Sequence, residues 1–230
     1  SSALTKKDQQ GLQRMISTGL KLALMIGSAA AVGMGLLSHQ ILRLLYASQP
    51  ENCLELGGQL LAIMSVGVLF LAVVQTTTGM LQGLGKPSYP VKTLLVGIVA
   101  KTVLNYVLIG IPQINVLGAA IATVVCYAIA ALGNVYMVLK LSKTKLKLVD
   151  ALVRPALAAG GMGAAVWGFV RLMGGRLGNT MLTLGAVCLG VLVYAVLAFV
   201  LRALSKEDLA LIPGGRRVAR LMDKLGGKKA

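Results

Sequence analysis

The chain contains few of the side chains that build catalytic or metal centres. Of its 230 residues, 7 are Asp or Glu and one is a histidine, His39. The three cysteines, Cys53, Cys126 and Cys188, stand alone without a partner at metal-ligand spacing. No Ser/His/Asp set, no pair of carboxylates within an apolar run and no Walker-type phosphate loop is present. We therefore predict a protein that is not an enzyme and holds no metal and no cofactor.

Charged residues are scarce overall, at 13% of the chain, whereas 57% of the residues are hydrophobic. Lys and Arg outnumber the acids by 23 to 7, which gives a formal charge of +16. Nucleic-acid-binding proteins present such charge on a polar surface, and the apolar fraction here is too large for one. The mean hydropathy of +0.81 also argues against an ordinary soluble domain. We expect no nucleic-acid partner.

The apolar residues form long runs, each close to the roughly 20 residues that a helix needs to cross a bilayer. Short alternating segments, as in a β-barrel, are absent from the sequence. The pattern predicts an all-α polytopic integral membrane protein with six transmembrane helices. The predicted spans run from Thr18 to Ser38, Leu56 to Leu81, Pro90 to Ile111, Val116 to Leu139, Ala151 to Met173 and Thr180 to Leu201.

The basic residues indicate the orientation of these spans. Assigning the connecting segments alternately to two sides places 19 of the 23 Lys and Arg on one side and 3 on the other, with Lys101 inside the third span. Because Lys and Arg concentrate in cytoplasmic loops, both termini are predicted to be cytoplasmic. The chain starts at Ser1 without an initiator Met, and we expect it to be part of a longer protein.

We divide the chain into three parts. Residues 1–140 hold four helices, residues 141–202 hold two more, and residues 203–230 form a basic cytoplasmic tail. Within the tail, Lys206 to Leu225 mixes apolar and basic residues at helical spacing. This pattern is typical of an amphipathic segment held by anionic lipid headgroups. A solvated basic tail is the alternative.

Small residues recur four apart in two of the spans. Close packing of such residues drives much of the association of helices in membranes. We therefore predict tight helix contacts on both faces, with a role as hinges as the alternative. The two sets are Gly27, Ala31 and Gly35, and Gly160, Ala164 and Gly168.

The third span carries a polar stripe that includes a charge at mid-membrane depth. Lys101 lies about 15 Å from either end of the span at about 1.5 Å per residue. Thr93, Gly97 and Asn105 continue its face at helical spacing. Ionisable groups at this depth usually face a cavity or a partner. Since the charge is positive, a cavity here would favour an anionic cargo such as a phosphate or pyrophosphate group.

Two neighbouring spans carry further polar stripes, and three such helices in a row favour a shared hydrophilic cavity. The alternative is that these side chains form hydrogen bonds between helices. The cavity candidates on these spans are Gln75, Thr78 and Gln82 with Gly79 and Lys86, and Thr123, Tyr127 and Asn134.

The central sequence resembles the C-terminal part of the multidrug/oligosaccharidyl-lipid/polysaccharide flippase superfamily, above all the branch of stage V sporulation protein B and lipid II flippases. The resemblance is strongest between Thr78 and Thr123 and weak after Lys140. It rests on Thr78–Pro87, Lys101, Asn105–Pro112 and Leu117–Thr123, with Ile41–Tyr46 upstream.

This resemblance implies about fourteen helices in two lobes around a central cavity, of which the chain would hold the last six. It implies a bacterial plasma-membrane transporter of an isoprenoid-linked sugar precursor, such as lipid II, for cell-wall or polysaccharide synthesis. The partners would be membrane lipids, the lipid-linked cargo and a missing N-terminal lobe. Lys101 carries over as a cavity-facing position, and the last two helices would form a groove suited to a lipid tail. The alternatives are a multidrug or organic-cation antiporter and a non-transporting scaffold in wall or spore assembly.

Overall fold

The computed structural model describes residues 2–112, 114–144 and 152–201, with side chains from residue 9 onward. These ranges contain seven helices and no strand, which confirms the all-α prediction. The predicted tail at 203–230 lies outside the described residues. The helices are α1 (Ser2–Leu36), α2 (Ser38–Leu45), α3 (Glu51–Gly83), α4 (Ser88–Ile109), α5 (Val116–Ser142), α6 (Arg154–Met173) and α7 (Asn179–Val200).

All the helices except the eight-residue α2 are long and apolar enough to cross a membrane. The prediction of six transmembrane helices is therefore confirmed. The chain is a multi-pass membrane protein in which each apolar run of about 20 residues became one helix.

Helix α1 begins well before the predicted boundary at Thr18. Its early turns are polar on one side, but Ile16 and Leu20 are buried on the other. They join a core cluster with Leu81 of α3 and Val138 of α5. Because this face is buried against α3 and α5, the helix starts earlier than the apolar run in the sequence predicts.

Helix α2 was not predicted as a separate element. A turn at Leu37 separates it from α1. The buried Leu37 belongs to a second core cluster with Met162 and Val166 of α6 and Ala186 of α7. The strongly amphipathic sequence of α2 suits a helix that lies beside other helices rather than across the membrane.

The helices pack in a chain of neighbours. Helix α5 lies between α3 and α4, α1 packs against α3, and α6 packs against both α1 and α7. Two hydrogen bonds hold α7 to the first part of the chain. The Tyr194 hydroxyl donates to the carbonyl oxygen of Met25 at 2.7 Å, and Asn179 Nδ2 donates to the carbonyl oxygen of Gln40 at 3.1 Å.

The small residues of α1 pack closely against α3. A Cβ atom added at Gly27 would lie 3.2 Å from the Cα atom of Leu69, and one at Gly35 would lie 2.9 Å from Oγ of Ser65. Ala31, on the same face, is half-buried. Because these distances are shorter than ordinary contacts, glycine permits the close approach of the two helices here.

The predicted tight contact on α6 is wrong. A Cβ atom at Gly160 or at Gly168 would meet nothing within 4 Å, and Ala164 is exposed. The close approaches on α6 occur at two other glycines: a Cβ atom at Gly161 would lie 2.6 Å from Leu197, and one at Gly163 would lie 2.9 Å from Val32. Spacing of four residues identified a helix face, but another face of the same glycine-rich helix carries the contacts.

Candidate functional site

The polar stripe of α4 faces α5. The Thr93 hydroxyl donates to Oδ1 of Asn134 at 2.6 Å. One turn further on, a Cβ atom at Gly97 would lie 2.7 Å from the carbonyl oxygen of Cys126. Near the other end of the pair, a Cβ atom at Gly118 would lie 2.6 Å from Cβ of Leu108. The stripe is therefore in part a contact between two helices.

Lys101 and Asn105 lie between these contacts, on the same side of α4. Both side chains are half-buried. At about 1.5 Å per residue, Lys101 is at least about 12 Å from either end of the helix. Oδ1 of Asn105 is buried and has no hydrogen-bond partner in the described part of the chain. A cation and an unsatisfied acceptor thus lie one turn apart within α4.

The stripe of α3 divides between two environments. Gln75, Gly79 and Gln82 are exposed on one face of α3. Lys86, predicted on the same stripe, lies beyond the end of the helix at Gly83. Thr78 instead is turned towards α5, where Nδ2 of Asn134 lies 3.5 Å from its hydroxyl oxygen. The exposed amides leave a polar surface on a membrane helix, and such a surface requires a polar neighbour.

Asn134 connects three helices. Its side chain is fully buried and contacts Thr78 of α3 and Thr93 of α4. The prediction that it lines an open cavity is therefore corrected: in this structure it follows the structural alternative, a hydrogen bond between helices. The sequence could not separate the two because both place an amide on a membrane helix.

The other two candidates on α5 are half-buried within the helix bundle. The Thr123 hydroxyl donates to the carbonyl oxygen of Ala119 in its own helix at 2.8 Å. It lies one turn before Cys126 on the face that meets α4. The Tyr127 ring lies towards α3, 3.7 Å from a Cβ position at Gly67. The structure thus groups Lys101, Asn105 and Thr123 along the α4–α5 contact, apart from the exposed amides of α3.

A second feature is an apolar cavity of about 410 Å³ between α1, α6 and α7. Tyr194 lies in its wall, and its hydroxyl is turned onto α1. The sequence did not identify these residues, although Gly33 and Gly190 were a possible signal because small residues leave space between helices. The principal lining residues are Ala29, Gly33, Met162, Val166, Gly190 and Tyr194.

No group of three or more His, Cys, Asp or Glu side chains that could hold a metal occurs among the residues that the structure describes. Arg43 in the last turn of α2 forms an ion pair with Glu51 in the first turn of α3. The chemistry available around Lys101 is therefore that of a cation with amide and hydroxyl groups.

Comparison with known proteins identifies relatives of this chain. Residues 1–107 match the MatE family. In Bacillus subtilis (strain 168), the uncharacterized membrane protein YabM is 25% identical and the lipid II flippase MurJ is 27% identical, each over 96% of this chain. The probable multidrug resistance protein YpnP of the same organism is 32% identical over 59% of this chain. No solved structure gives a significant match.

The chain spans about two fifths of the length of YabM and of MurJ, with 41% of each covered. These matches confirm the resemblance to the flippase superfamily. They include proteins named for a lipid-linked precursor and for drugs, so the cargo does not follow from the family alone.

Proposed function

We propose that this chain, whose residues 1–107 match the MatE family, is part of a membrane transporter that translocates an isoprenoid-linked sugar precursor. The precursor would cross the bacterial cytoplasmic membrane for cell-wall or polysaccharide synthesis. The observation that carries the proposal is the half-buried Lys101 near the membrane centre, one turn from the unsatisfied carbonyl oxygen of Asn105.

The two groups match the chemistry of a sugar diphosphate. An ammonium group attracts and donates to phosphate oxygens. A side-chain carbonyl oxygen accepts from the hydroxyl or amide groups of a sugar. A buried acceptor without a partner costs free energy, and a sugar group that donates to Asn105 would recover it. The pair therefore favours a polar, anionic headgroup over an apolar cargo.

The apolar cavity supports the lipid part of the cargo. A volume of about 410 Å³ falls in the range of small-molecule pockets. Its walls, from Gly33 on α1 to Gly190 on α7, suit a hydrocarbon chain. We propose that the isoprenoid tail enters here while the headgroup crosses beside α4.

The remainder of the transport pathway would come from the proposed N-terminal lobe. The exposed polar face of α3, with Gln75 and Gln82, would line the cavity against that lobe. Rocking of two lobes would expose the site to each side in turn, driven by membrane potential or an ion gradient. In the same proposal, both termini of this chain lie in the cytoplasm.

An organic-cation antiporter is the second candidate, favoured by the similarity to YpnP. Such a transporter would place an acid where this chain places Lys101. Among the residues whose side chains the structure describes, the acids are Glu51 and Glu55, and both are exposed in the first turns of α3. A scaffold without transport is the third possibility, and it would make no use of the Lys101 charge.

The test is charge reversal at Lys101 in the native protein within its host membrane. We expect Lys101→Glu to lower export of radiolabelled lipid-linked precursor by tenfold or more, and Lys101→Arg to retain it. Lys92→Glu, which changes an exposed cation at the start of the same helix, is the matched control. Membrane abundance is measured alongside.

The outcomes separate the three candidates. Loss of export in Lys101→Glu at normal abundance, with export retained in Lys101→Arg and Lys92→Glu, supports the flippase. Gain of organic-cation efflux in Lys101→Glu would favour the antiporter. Unchanged precursor export and growth in Lys101→Glu would contradict the transport role proposed for Lys101 and favour the scaffold.

A further inference from the structure

A polar pocket at one end of the helix bundle is separate from both features described above. Its volume is about 490 Å³, and it lies between α1 and the residues that follow α5. We name it the basic pocket. It is lined by Gln10, Gln13, Arg14, Ser17, Lys143 and Thr144.

The α1 wall of the basic pocket is one face of a helix. Its four residues stand at positions i, i+3, i+4 and i+7, which lie on one side of an α-helix. Nε2 of Gln13 donates to the carbonyl oxygens of Ser142 and Lys143, at 3.2 and 3.1 Å. This side chain satisfies carbonyl groups that the end of α5 leaves without helical partners, and it holds α5 against α1.

The opposite wall is a fixed turn. Lys143 adopts a left-handed conformation with φ of 53°, which is uncommon for a residue other than glycine. The hydroxyls of Ser142 and Thr144 lie 2.7 Å apart, and the Thr144 backbone N–H donates to Oγ of Ser142 at 3.3 Å. Both side chains are buried. The turn therefore has a defined geometry that brings Lys143 and Thr144 to the α1 wall.

The side chains of the pocket match a phosphate group. The Arg14 guanidinium, the Lys143 ammonium, the Ser17 hydroxyl and the Gln10 amide can donate hydrogen bonds, and none of the six lining residues is acidic. Gln13 and Thr144 instead donate within the protein. Arg in particular binds phosphate oxygens in a planar, bidentate manner. Such a set favours an anion with several acceptor oxygens.

The position of the pocket identifies the source of that phosphate. The pocket lies just outside the apolar runs, which begin at Thr18 on α1 and end at Leu139 on α5. Met15 is 62% exposed and Leu141 is 37% exposed, so apolar side chains border the pocket where acyl chains would run. The charge distribution predicts that this side is cytoplasmic, where basic pockets between membrane helices bind anionic headgroups.

We propose that the basic pocket binds the phosphodiester of one anionic phospholipid. Arg14 and Lys143 contact the phosphate oxygens, and Gln10 and Ser17 donate to the remaining headgroup. The bound lipid joins the end of α5 to α1 on the cytoplasmic side. It is a structural lipid, separate from any cargo that crosses beside α4.

The proposal is tested with the native protein in a neutral detergent. Native mass spectrometry measures the retention of phosphatidylglycerol relative to phosphatidylcholine. We expect Arg14→Gln and Lys143→Gln each to weaken phosphatidylglycerol retention about fivefold, while phosphatidylcholine retention stays the same. Lys92→Gln, which removes an exposed cation on the same predicted side but outside the pocket, should retain the lipid.

Charge-conserving variants keep the test valid if a neutral variant folds poorly. Arg14→Lys and Lys143→Arg should retain phosphatidylglycerol and unfold at the parental temperature. Equal loss in Lys92→Gln, or no loss in either pocket variant, would overturn the proposal. Displacement of phosphatidylglycerol by equimolar inorganic pyrophosphate would also overturn it, because the pocket would then bind free phosphate.

Discussion

The α4–α5 interface and the interface of α1 with α6 and α7 differ in polarity and in packing. Between α4 and α5, glycine allows the two backbones to come into contact. The buried Asn134 of α5 accepts a hydrogen bond from Thr93 of α4 and donates one to Thr78 of α3. Between α1 and the α6–α7 pair, the contact surrounds an apolar cavity of about 410 Å³. A polar, closely packed interface fixes the position of Lys101, whereas an apolar interface with unused space can accept a hydrocarbon chain.

Polar groups and unfilled space therefore occur at different helix interfaces of this membrane protein. Hydrocarbon around the helices gives little drive for apolar association, so the closely packed pair uses small residues and hydrogen bonds. The α6–α7 pair is held to the rest by Tyr194 and Asn179. These two bonds lie on different helix turns of α7, and the space between α1 and α7 remains open beside Tyr194.

The largest expected effect is at the close contact of α4 and α5. We expect Gly97→Val to destabilise the fold by about 1–3 kcal/mol or more, because a Cβ atom would lie 2.7 Å from the Cys126 carbonyl oxygen. A backbone atom cannot move aside as a flexible side chain can. Thermal unfolding in detergent measures the loss.

The matched control for this prediction is Gly160→Val, since a Cβ atom there meets nothing within 4 Å. It should unfold close to the parental temperature. Equal destabilisation of the two variants would show that valine in a membrane helix, rather than the contact with Cys126, is responsible.

We expect a smaller effect on stability at the interface of α1 with α6 and α7, which contains the apolar cavity. A Cβ atom at Gly33 would meet only Met162, at 3.9 Å, and the cavity has room for a longer side chain. We expect Gly33→Leu to change the free energy of unfolding by no more than about 1 kcal/mol, with the gain in helix propensity partly offsetting any repacking. Export of the lipid-linked precursor should nevertheless fall, because leucine occupies the volume proposed for the tail.

The same assays on Gly168→Leu separate filling of the cavity from a general effect of leucine, because Gly168 has no neighbour within 4 Å of a Cβ position. Normal export in both variants would remove the cavity from the transport pathway. Strong destabilisation in Gly33→Leu would show that the interface has no usable space.

Sequence predicted the number and class of the helices because each apolar run is long enough to cross a bilayer. It predicted the boundary at Val116 of α5, where Asn115 adopts a positive φ of 42°. It missed the early start of α1, since only one side of that segment is apolar and its burial depends on contacts with α3 and α5.

Sequence could not predict which polar residues face a cavity. Gln75 and Asn134 are both amides in apolar runs, yet Gln75 is exposed and Asn134 is fully buried. The difference arises from the rotation of each helix against its neighbours, which spacing along one helix does not define. The same limit explains why Gly160 was predicted to pack closely while Gly161 does so.

The most direct measurement is photo-cross-linking of radiolabelled precursor to single positions on α4. A photoreactive residue is placed at Asn105, on the side that faces α5, or at Val99, which is 65% exposed on another face. Labelling by the lipid-linked precursor at Asn105 and not at Val99 is the result that our account predicts. Equal labelling at both positions, or labelling at Asn105 by phospholipid alone, would contradict a cargo site beside Lys101.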